Sequence, residues 1–247
     1  MKLEVLIACM HQKDKSIVYA ANATSDVLVI NQTDKESIQE FSHCDGKKAR
    51  IIATQERGLS RSRNMAINKA RNEICLLVDD DEILKPNYER DILEAYIANP
   101  DADIIAFALE YPGKIYPKKG YKVSYPQALR IGSCQISFKR KSIIENNIQF
   151  DLRFGSGTKN GPGEENLFLF ECLRKGLKII YCPLVIGAVK QEQSEWFHGF
   201  NSEYFLNRGK VTKALLGSFL AFWYALYFAV TKHDKYKSET NFLRAFF

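Results

Sequence analysis

Short apolar runs alternate with amphipathic segments over the first two thirds of the chain. Each run is long enough for a buried strand, and most are followed by apolar residues at helical spacing. The predicted strands are 3–8, 26–30, 50–53, 74–78, 104–109 and 178–181, and the predicted helices are 60–69, 87–98 and a helix from 164 to 174–176. Strands that alternate with helices indicate an α/β fold with a mainly parallel sheet covered on both faces.

The charge of the chain is concentrated at one end. Residues 208–247 contain seven Lys or Arg and two Asp or Glu, a net charge of +5, whereas residues 1–207 carry only +1. A nucleic-acid-binding protein usually has a basic body, so this distribution argues against nucleic acid as a partner. A basic, aromatic tail instead favours contact with anionic lipid.

The cysteines and the N-terminus give weaker information. None of the six cysteines forms a C-x-x-C pair, so a zinc ribbon is not expected. Reduced thiols in a cytoplasmic protein are the simplest interpretation. The apolar run after Met1 is too short for a secretory signal.

Four consecutive acidic residues follow the predicted strand 74–78, namely Asp79, Asp80, Asp81 and Glu82. Carboxylates at the carboxyl end of a buried strand repel one another, and a divalent cation relieves that repulsion. Mg²⁺ or Mn²⁺ takes one or two carboxylates and completes its shell with phosphate oxygens and water. The alternative is a solvated acidic turn that caps the next helix.

Two further helix starts carry charged groups. Arg57 and Gly58 precede the helix 60–69, which also contains Arg63, and arginines and helix N-terminal amides both suit a diphosphate. Glu164 and Glu165 begin the helix after a glycine-rich segment, where a carboxylate could act as a general base. The alternatives are an exposed basic helix face and plain N-terminal capping.

In their order along the chain, these segments resemble the family 2 glycosyltransferases of the GT-A fold, of the bacterial surface-polysaccharide type. The resemblance covers about residues 3–200. It implies a Rossmann-like, mainly parallel sheet flanked by helices, with a C-terminal helical extension. The expected organisation is a catalytic domain over 1–205, with a nucleotide-sugar half (1–110) and an acceptor half (111–205), and a basic, aromatic tail over 206–247.

The resemblance also implies site residues. Together with the motifs above, it gives these candidate nucleotide-sugar ligands: Ala8, Cys9, Met10, His11, Asn31, Gln32, Arg57, Gly58, Arg63, Asp79, Asp80 and Lys190. Asp81, with Asp79, would hold Mn²⁺ or Mg²⁺, and His198 is a further candidate ligand. Glu165, next to Glu164, would deprotonate the acceptor hydroxyl. The reaction implied is transfer with inversion from a nucleotide sugar, most often a UDP-sugar, to a lipid-linked oligosaccharide or surface-glycan precursor.

The sequence departs from the family pattern in three places. Asn31 and Gln32 stand where many relatives have an acidic pair, and the expected base is Glu165 rather than an Asp. The segment 189–194 has no histidine for the metal. A catalytically impaired, nucleotide-binding scaffold therefore remains an alternative. A sugar nucleotidyltransferase and a dinucleotide oxidoreductase are disfavoured, because residues 9–12 contain no glycine.

The tail has its own pattern. Residues 214–231 contain no charged residue and six aromatics, with lysines on both sides. This composition favours a helix in a membrane interface, which would place the protein at the cytoplasmic face of the membrane. The alternatives are a helix packed on the catalytic domain, a homodimer contact, and a membrane span.

Overall fold

The computed structural model describes residues 1–189, 199–242 and 244. In chain order its strands and α-helices are β1 (Leu3–Met10), α1 (Ser16–Ala20), β2 (Asp26–Gln32), β3 (Ser37–His43), β4 (Lys47–Thr54), α2 (Leu59–Lys69), β5 (Ile74–Asp79), β6 (Glu82–Leu84), α3 (Tyr88–Ala98), β7 (Ile104–Glu110), β8 (Tyr121–Lys122), α4 (Tyr125–Ala128), β9 (Ile136–Lys139), α5 (Arg140–Glu145), α6 (Glu164–Arg174), β10 (Ile179–Val189), α7 (Ser202–Thr231) and α8 (His233–Tyr236).

These strands form one mixed, mainly parallel sheet in the order β3-β4-β2-β1-β5-β9-β7-β10-β6, with β8 paired to β10. The strands β4, β2, β1 and β5 are mutually parallel. β9 lies between β5 and β7 and is antiparallel to both. It therefore begins on the side of the sheet where β5 ends. The predicted α/β, GT-A-like fold with a C-terminal helical extension is confirmed.

The sheet is covered on both faces, which explains the continuous apolar runs of its central strands. Within β1, Leu6 faces one hydrophobic core and Ile7 faces the other. The first core is closed by α2, α5 and α6, and the second by α1 and α3. Both residues are buried, because neither face of the strand meets solvent.

Several elements were not predicted. β3 is an edge strand in which every residue except Phe41 and His43 is exposed, so its sequence lacks the apolar run of a buried strand. β9 has only four residues, and β6 and β8 are shorter still. β10 continues to Val189, well past the predicted end at 181, through irregular pairing with β7.

α7 is broken at Gly217, whose φ of 76° and ψ of 167° are not helical. The Arg208 guanidinium donates a hydrogen bond to the Tyr224 hydroxyl at 2.6 Å. In a continuous helix these residues would lie about 24 Å apart at 1.5 Å per residue. The rings of Phe205 and Phe228 are also in contact, with centroids 6.2 Å apart. α7 is therefore a helical hairpin, and the expectation of one uninterrupted helix over 214–231 is wrong.

The first arm of this hairpin packs on the catalytic part of the chain. Arg174, the last residue of α6, donates to the Leu215 carbonyl at 2.5 Å. That carbonyl lies in the last turn before the break, where helical acceptors lack partners. A Cβ built on Gly163 would lie 2.8 Å from a methyl of Val211, so the arm touches the loop before α6. Packing on the catalytic domain, one of the alternatives for the tail, is thus part of the structure.

Candidate active site

The site residues from the first half of the chain meet because parallel strands end at one edge of the sheet. In the strand register, Ala8 of β1 lies opposite Asp79 of β5, and Cys9 lies opposite Asn31 of β2. Ligands of open α/β sheets bind in the crevice beyond these carboxyl ends. Met10 and His11 follow as exposed residues, and His11 has a positive φ of 54°.

Asn31 and Gln32 orient the loops of this edge. The Asn31 side chain accepts from the Gln12 backbone N–H at 3.0 Å and donates to the Gln12 carbonyl at 2.7 Å. The Gln32 side-chain oxygen accepts from the Gly58 N–H at 2.7 Å. Both side chains are buried. These contacts fix the loop after β1 and the start of α2, which are the surfaces that would meet a nucleotide.

A cavity of about 360 Å³ lies at the ends of β1, β2 and β4. Its walls include Gln12, Asn31, Thr33, Asp34 and Ile51. This volume falls within the range of small-molecule sites. A space lined by polar side chains and by the apolar Ile51 and Ala53 suits a nucleobase and its ribose.

Arg57 and Gly58 shape the start of α2. Arg57 donates to the Gln55 carbonyl at 2.7 Å and to the Asp34 carboxylate at 2.7 Å, so it is tied to the rim of this cavity. Gly58 has a φ of 113°, which favours glycine, and it is the residue before the first turn of α2. The Leu59 N–H donates to the Ser156 carbonyl, which brings the glycine-rich loop to this helix start.

Arg63 joins the acidic motif to the second helix start. Its guanidinium lies 2.8 Å from the Asp79 carboxylate and 2.8 Å from the Glu164 carboxylate. Arg63 and Glu164 are almost fully buried. The two carboxylates raise the pKa of Arg63 although burial alone would lower it. The other oxygen of the Glu164 carboxylate accepts from the Gly163 N–H at 3.0 Å, so both oxygens have hydrogen-bond partners within the site.

Two residues that the sequence did not suggest also contact Asp79. The second oxygen of its carboxylate accepts from Cys134 Sγ at 2.9 Å and from Ser133 Oγ at 3.3 Å. Burial alone would raise the pKa of Asp79, but Arg63 and these hydrogen bonds lower it, so the carboxylate stays ionised. Ser133 and Cys134 lie in the turn before β9, and only the antiparallel insertion of that strand brings them here.

The remaining acidic residues differ in exposure. Asp80 is exposed, Asp81 is half-buried, and Glu82 is buried with its pKa raised by burial and by the nearby Asp79. No group of three His, Cys, Asp or Glu residues suited to a metal occurs in the described part of the chain. A Mg²⁺ or Mn²⁺ ion that takes one or two carboxylates plus phosphate oxygens needs no such group. The donors present therefore fit that kind of ion.

Glu165 lies half-buried at the start of α6 and faces a second cavity. Burial, and then the negative charge of Glu164, raise the pKa of Glu165 to about 8. A carboxylate with such a pKa is a stronger base than an ordinary one and suits general base catalysis. The Lys114 ammonium, on the irregular loop after β7, interacts electrostatically with Glu165, and burial lowers the pKa of that lysine. Nothing in the sequence pattern predicts this interaction.

Lys190 and His198 lie outside the described residues. Their predicted roles toward the diphosphate and the metal stay predictions. The other predicted site residues all lie at the strand ends β1, β2 and β5, at the start of α2, or at the start of α6. Arg63 of α2 connects the end of β5 to the start of α6.

Comparison with known sequences gives the family. Residues 5–161 match the model of Glycosyl transferase family 2. The chain is a family 2 glycosyltransferase. The match ends before Glu164 and Glu165, so the role of these two residues in this glycosyltransferase rests on their geometry. A comparison with curated protein sequences gave no significant match.

Solved structures agree on the fold of this glycosyltransferase. S. aureus TarS 1-349 in complex with UDP-GlcNAc is 12% identical, with a TM-score of 0.66 over 100% of this chain and 82% of that one. S. aureus TarS 1-349 alone gives 0.63 at 12% identity, over 100% and 81% of the two chains. The complex of TarS 1-349 with UDP gives 0.61 at 13% identity, over 98% and 76%.

Proposed function

We propose that this protein is an inverting, metal-dependent glycosyltransferase, which moves a sugar from a UDP-sugar to a hydroxyl group of a lipid-linked oligosaccharide or surface-glycan precursor. The observation that carries the proposal is the buried bridge of Arg63 between Asp79 and Glu164. It joins the acidic end of β5 to the start of α6, next to the candidate base Glu165. The fold shared with a protein whose structure contains UDP-GlcNAc supports the choice of donor.

The donor would bind along the strand ends. The cavity beside Asn31 takes the base and ribose, held by the loops that Asn31 and Gln32 fix. The diphosphate would then extend toward Asp80 and Asp81. Asp81, with Asp79, would hold Mn²⁺ or Mg²⁺. When bound to the diphosphate, such an ion offsets the negative charge on the leaving group.

The chemical step uses Glu165. Its carboxylate accepts the proton of the acceptor hydroxyl as the acceptor oxygen forms a bond to the anomeric carbon. The bond from that carbon to the diphosphate oxygen breaks in the same displacement, and UDP leaves with the electron pair. Because the nucleophile enters opposite to the leaving group, the configuration inverts. The raised pKa of Glu165 supports this role.

The hairpin supports contact with a membrane surface at the cytoplasmic side. By length and composition α7 passes as a membrane span, with a mean hydropathy of 1.6 over its most apolar window. The break at Gly217 leaves arms of about 22 Å and 21 Å, shorter than a hydrocarbon core of about 30 Å. The second arm exposes Phe219, Phe222, Trp223 and Tyr227. Aromatic residues beside lysines suit the interface better than a span.

The function is tested by release of UDP from a panel of UDP-sugars, with membrane lipid extract as the source of acceptor. We expect release for at least one donor, and a loss of about 10²–10⁴-fold in Glu165→Gln with UDP binding retained. Glu171→Gln, the same change later in α6, is the control, because Glu171 does not line the cavity next to Glu165 and its ion pair with Arg174 is partly exposed. Full activity of Glu165→Gln would remove Glu165 from the mechanism. Binding of UDP without turnover of any donor would favour the scaffold alternative.

A further inference from the structure

The second cavity lies between α6 and the α7 hairpin. Its volume is about 380 Å³, and Glu165 and Asn166 are among the residues that line it. The walls are mostly apolar and come from both parts of the chain: Leu129, Pro162, Val211, Leu215 and Leu216. A substrate group that reaches Glu165 through this cavity must therefore pass along the hairpin. The roles assigned to the donor do not use this space.

Arg208 is the cationic group of the same cavity. Its guanidinium donates to the hydroxyls of Tyr204 at 3.1 Å and Tyr224 at 2.6 Å, and it lies 4.3 Å from the centre of the Phe228 ring. No carboxylate lies within ion-pair distance of it among the residues the structure describes, and its buried Nε–H has no hydrogen-bond acceptor there. Two other arginines near the site, the exposed Arg57 and the buried Arg63, are both paired with carboxylates.

A guanidinium that has no carboxylate partner among the described residues, and that lies between apolar walls, is suited to an anion with an apolar attachment. Phosphate oxygens accept two hydrogen bonds from one guanidinium, which strengthens such a contact. The two tyrosine hydroxyls hold the guanidinium in place, so little side-chain freedom is lost on binding. A neutral acceptor would leave this charge without a partner.

We propose that this cavity is the acceptor site, and that it takes an amphiphilic phosphate ester whose phosphate binds Arg208 and whose apolar part lies along α7. This inference rests on the proposed function, because Glu165, which lines the same cavity, would act on the acceptor hydroxyl. It extends that function by assigning the chemical class of the acceptor and the residue that recognises it. The hairpin then has two roles, since its outer surface carries the exposed aromatics and its inner surface binds the acceptor.

The test is calorimetric binding of octyl phosphate, octyl glucoside and inorganic phosphate, each below any micelle-forming concentration. We expect octyl phosphate to bind at least tenfold more tightly than the other two. Arg208→Gln should weaken octyl phosphate at least tenfold and leave octyl glucoside unchanged. Lys213→Gln removes an exposed cation one turn away that does not line this cavity, and it should change neither.

Two further variants keep the test decisive. Arg208 also lines a smaller cavity of about 280 Å³. Leu216 lines only the cavity that contains Glu165, so Leu216→Trp would fill that cavity and should weaken both octyl compounds. If Arg208→Gln misfolds, which thermal unfolding would reveal, Arg208→Lys replaces it: this variant keeps the charge but donates from a single nitrogen, so it should weaken octyl phosphate more than octyl glucoside. Equal octyl phosphate affinity in the wild type and in folded Arg208→Gln would overturn the proposal, as would unchanged affinity in Leu216→Trp. UDP binding, measured on the same samples, reports separately on the proposed function.

Discussion

Arg63 lies with its guanidinium 2.8 Å from the Asp79 carboxylate, in a position where only 3% of the arginine side chain is exposed. Removing this cation would leave Asp79 and the buried Glu164 without their partner. Arg63→Met should therefore lower the free energy of unfolding by about 3–5 kcal/mol, as for other broken buried ion pairs. Urea denaturation measures the loss.

Arg61→Met is the matched control for that substitution. Arg61 lies on the same helix, and within the described part of the chain its ion pair is an exposed one with Glu56 at 3.6 Å. Exposed pairs contribute about 0–1 kcal/mol, so this variant should remain close to the wild type. Similar losses in both variants would mean that the bridge of Arg63 does not hold the site together.

Much of the fold could be predicted because the central strands are buried on both faces. The runs at 3–8 and 74–78 are apolar throughout, and the acidic residues after the second run mark the edge where it ends. The same reasoning found Glu165, since a glycine-rich segment before a helix is visible in the sequence. Its raised pKa was not visible, because it depends on burial and on the charge of Glu164.

Other features depend on contacts between distant segments. Cys134 reaches Asp79 only because β9 is inserted antiparallel between β5 and β7. Gly217 is one glycine in an apolar, aromatic run, and a glycine is tolerated in many helices. Its conformation reverses the chain and brings Arg208 to Tyr224. The cavity between α6 and α7 follows from this reversal and has no local signal.

Glu165 predicts the direction of the pH dependence. The ionised form is the base, and the pKa of this carboxyl is raised from its usual range to about 8. The value of kcat/KM should therefore increase about tenfold per pH unit from pH 6 and level off above pH 8. A profile that is already flat between pH 6 and 9 would contradict the assignment.

The same shift has a consequence for stability. Since the folded protein holds the proton on Glu165 more tightly than the unfolded chain, ionisation of this group destabilises the fold as pH rises from about 4.5 to 8. Glu165→Gln should then raise the melting temperature at pH 8.5 and leave it nearly unchanged at pH 4. Thermal unfolding at the two pH values distinguishes this result from a pH-independent effect of the substitution.

Gly163 tests the contact between the first arm of α7 and the start of α6. An added Cβ would lie 2.8 Å from a Val211 methyl, and the φ of 125° is unfavourable for alanine. Gly163→Ala should be about 1–3 kcal/mol less stable than Gly176→Ala, which has a φ of 78° and no atom within 4 Å of the added Cβ. Val211→Ala in the same chain should restore part of the loss. Equal losses of stability in Gly163→Ala and Gly176→Ala would mean that the first arm of α7 does not pack against the loop before α6.

The exposed aromatics of the second arm test membrane contact. Phe219 is 74% exposed and Trp223 is 53% exposed. Replacing both by serine should reduce sedimentation with vesicles containing anionic lipid at least tenfold. Ile115→Ser is the control, because Ile115 is 93% exposed but lies on the loop after β7. Binding should also weaken at high salt, since lysines attract the anionic surface. Unchanged sedimentation of the double variant would refute the role of this arm.

Metal-dependent binding of UDP tests the central claim most directly. Wild-type protein should bind UDP in calorimetry with Mn²⁺ and at least tenfold more weakly with EDTA, because in the proposed site Asp81 would hold the ion that offsets the charge of the diphosphate. Asp81→Asn should remove this dependence on Mn²⁺, whereas Asp101→Asn, an exposed change near the start of β7, should preserve it. UDP binding that is equal with and without Mn²⁺, or no UDP binding under either condition, would contradict the account of a metal-dependent UDP-sugar transferase.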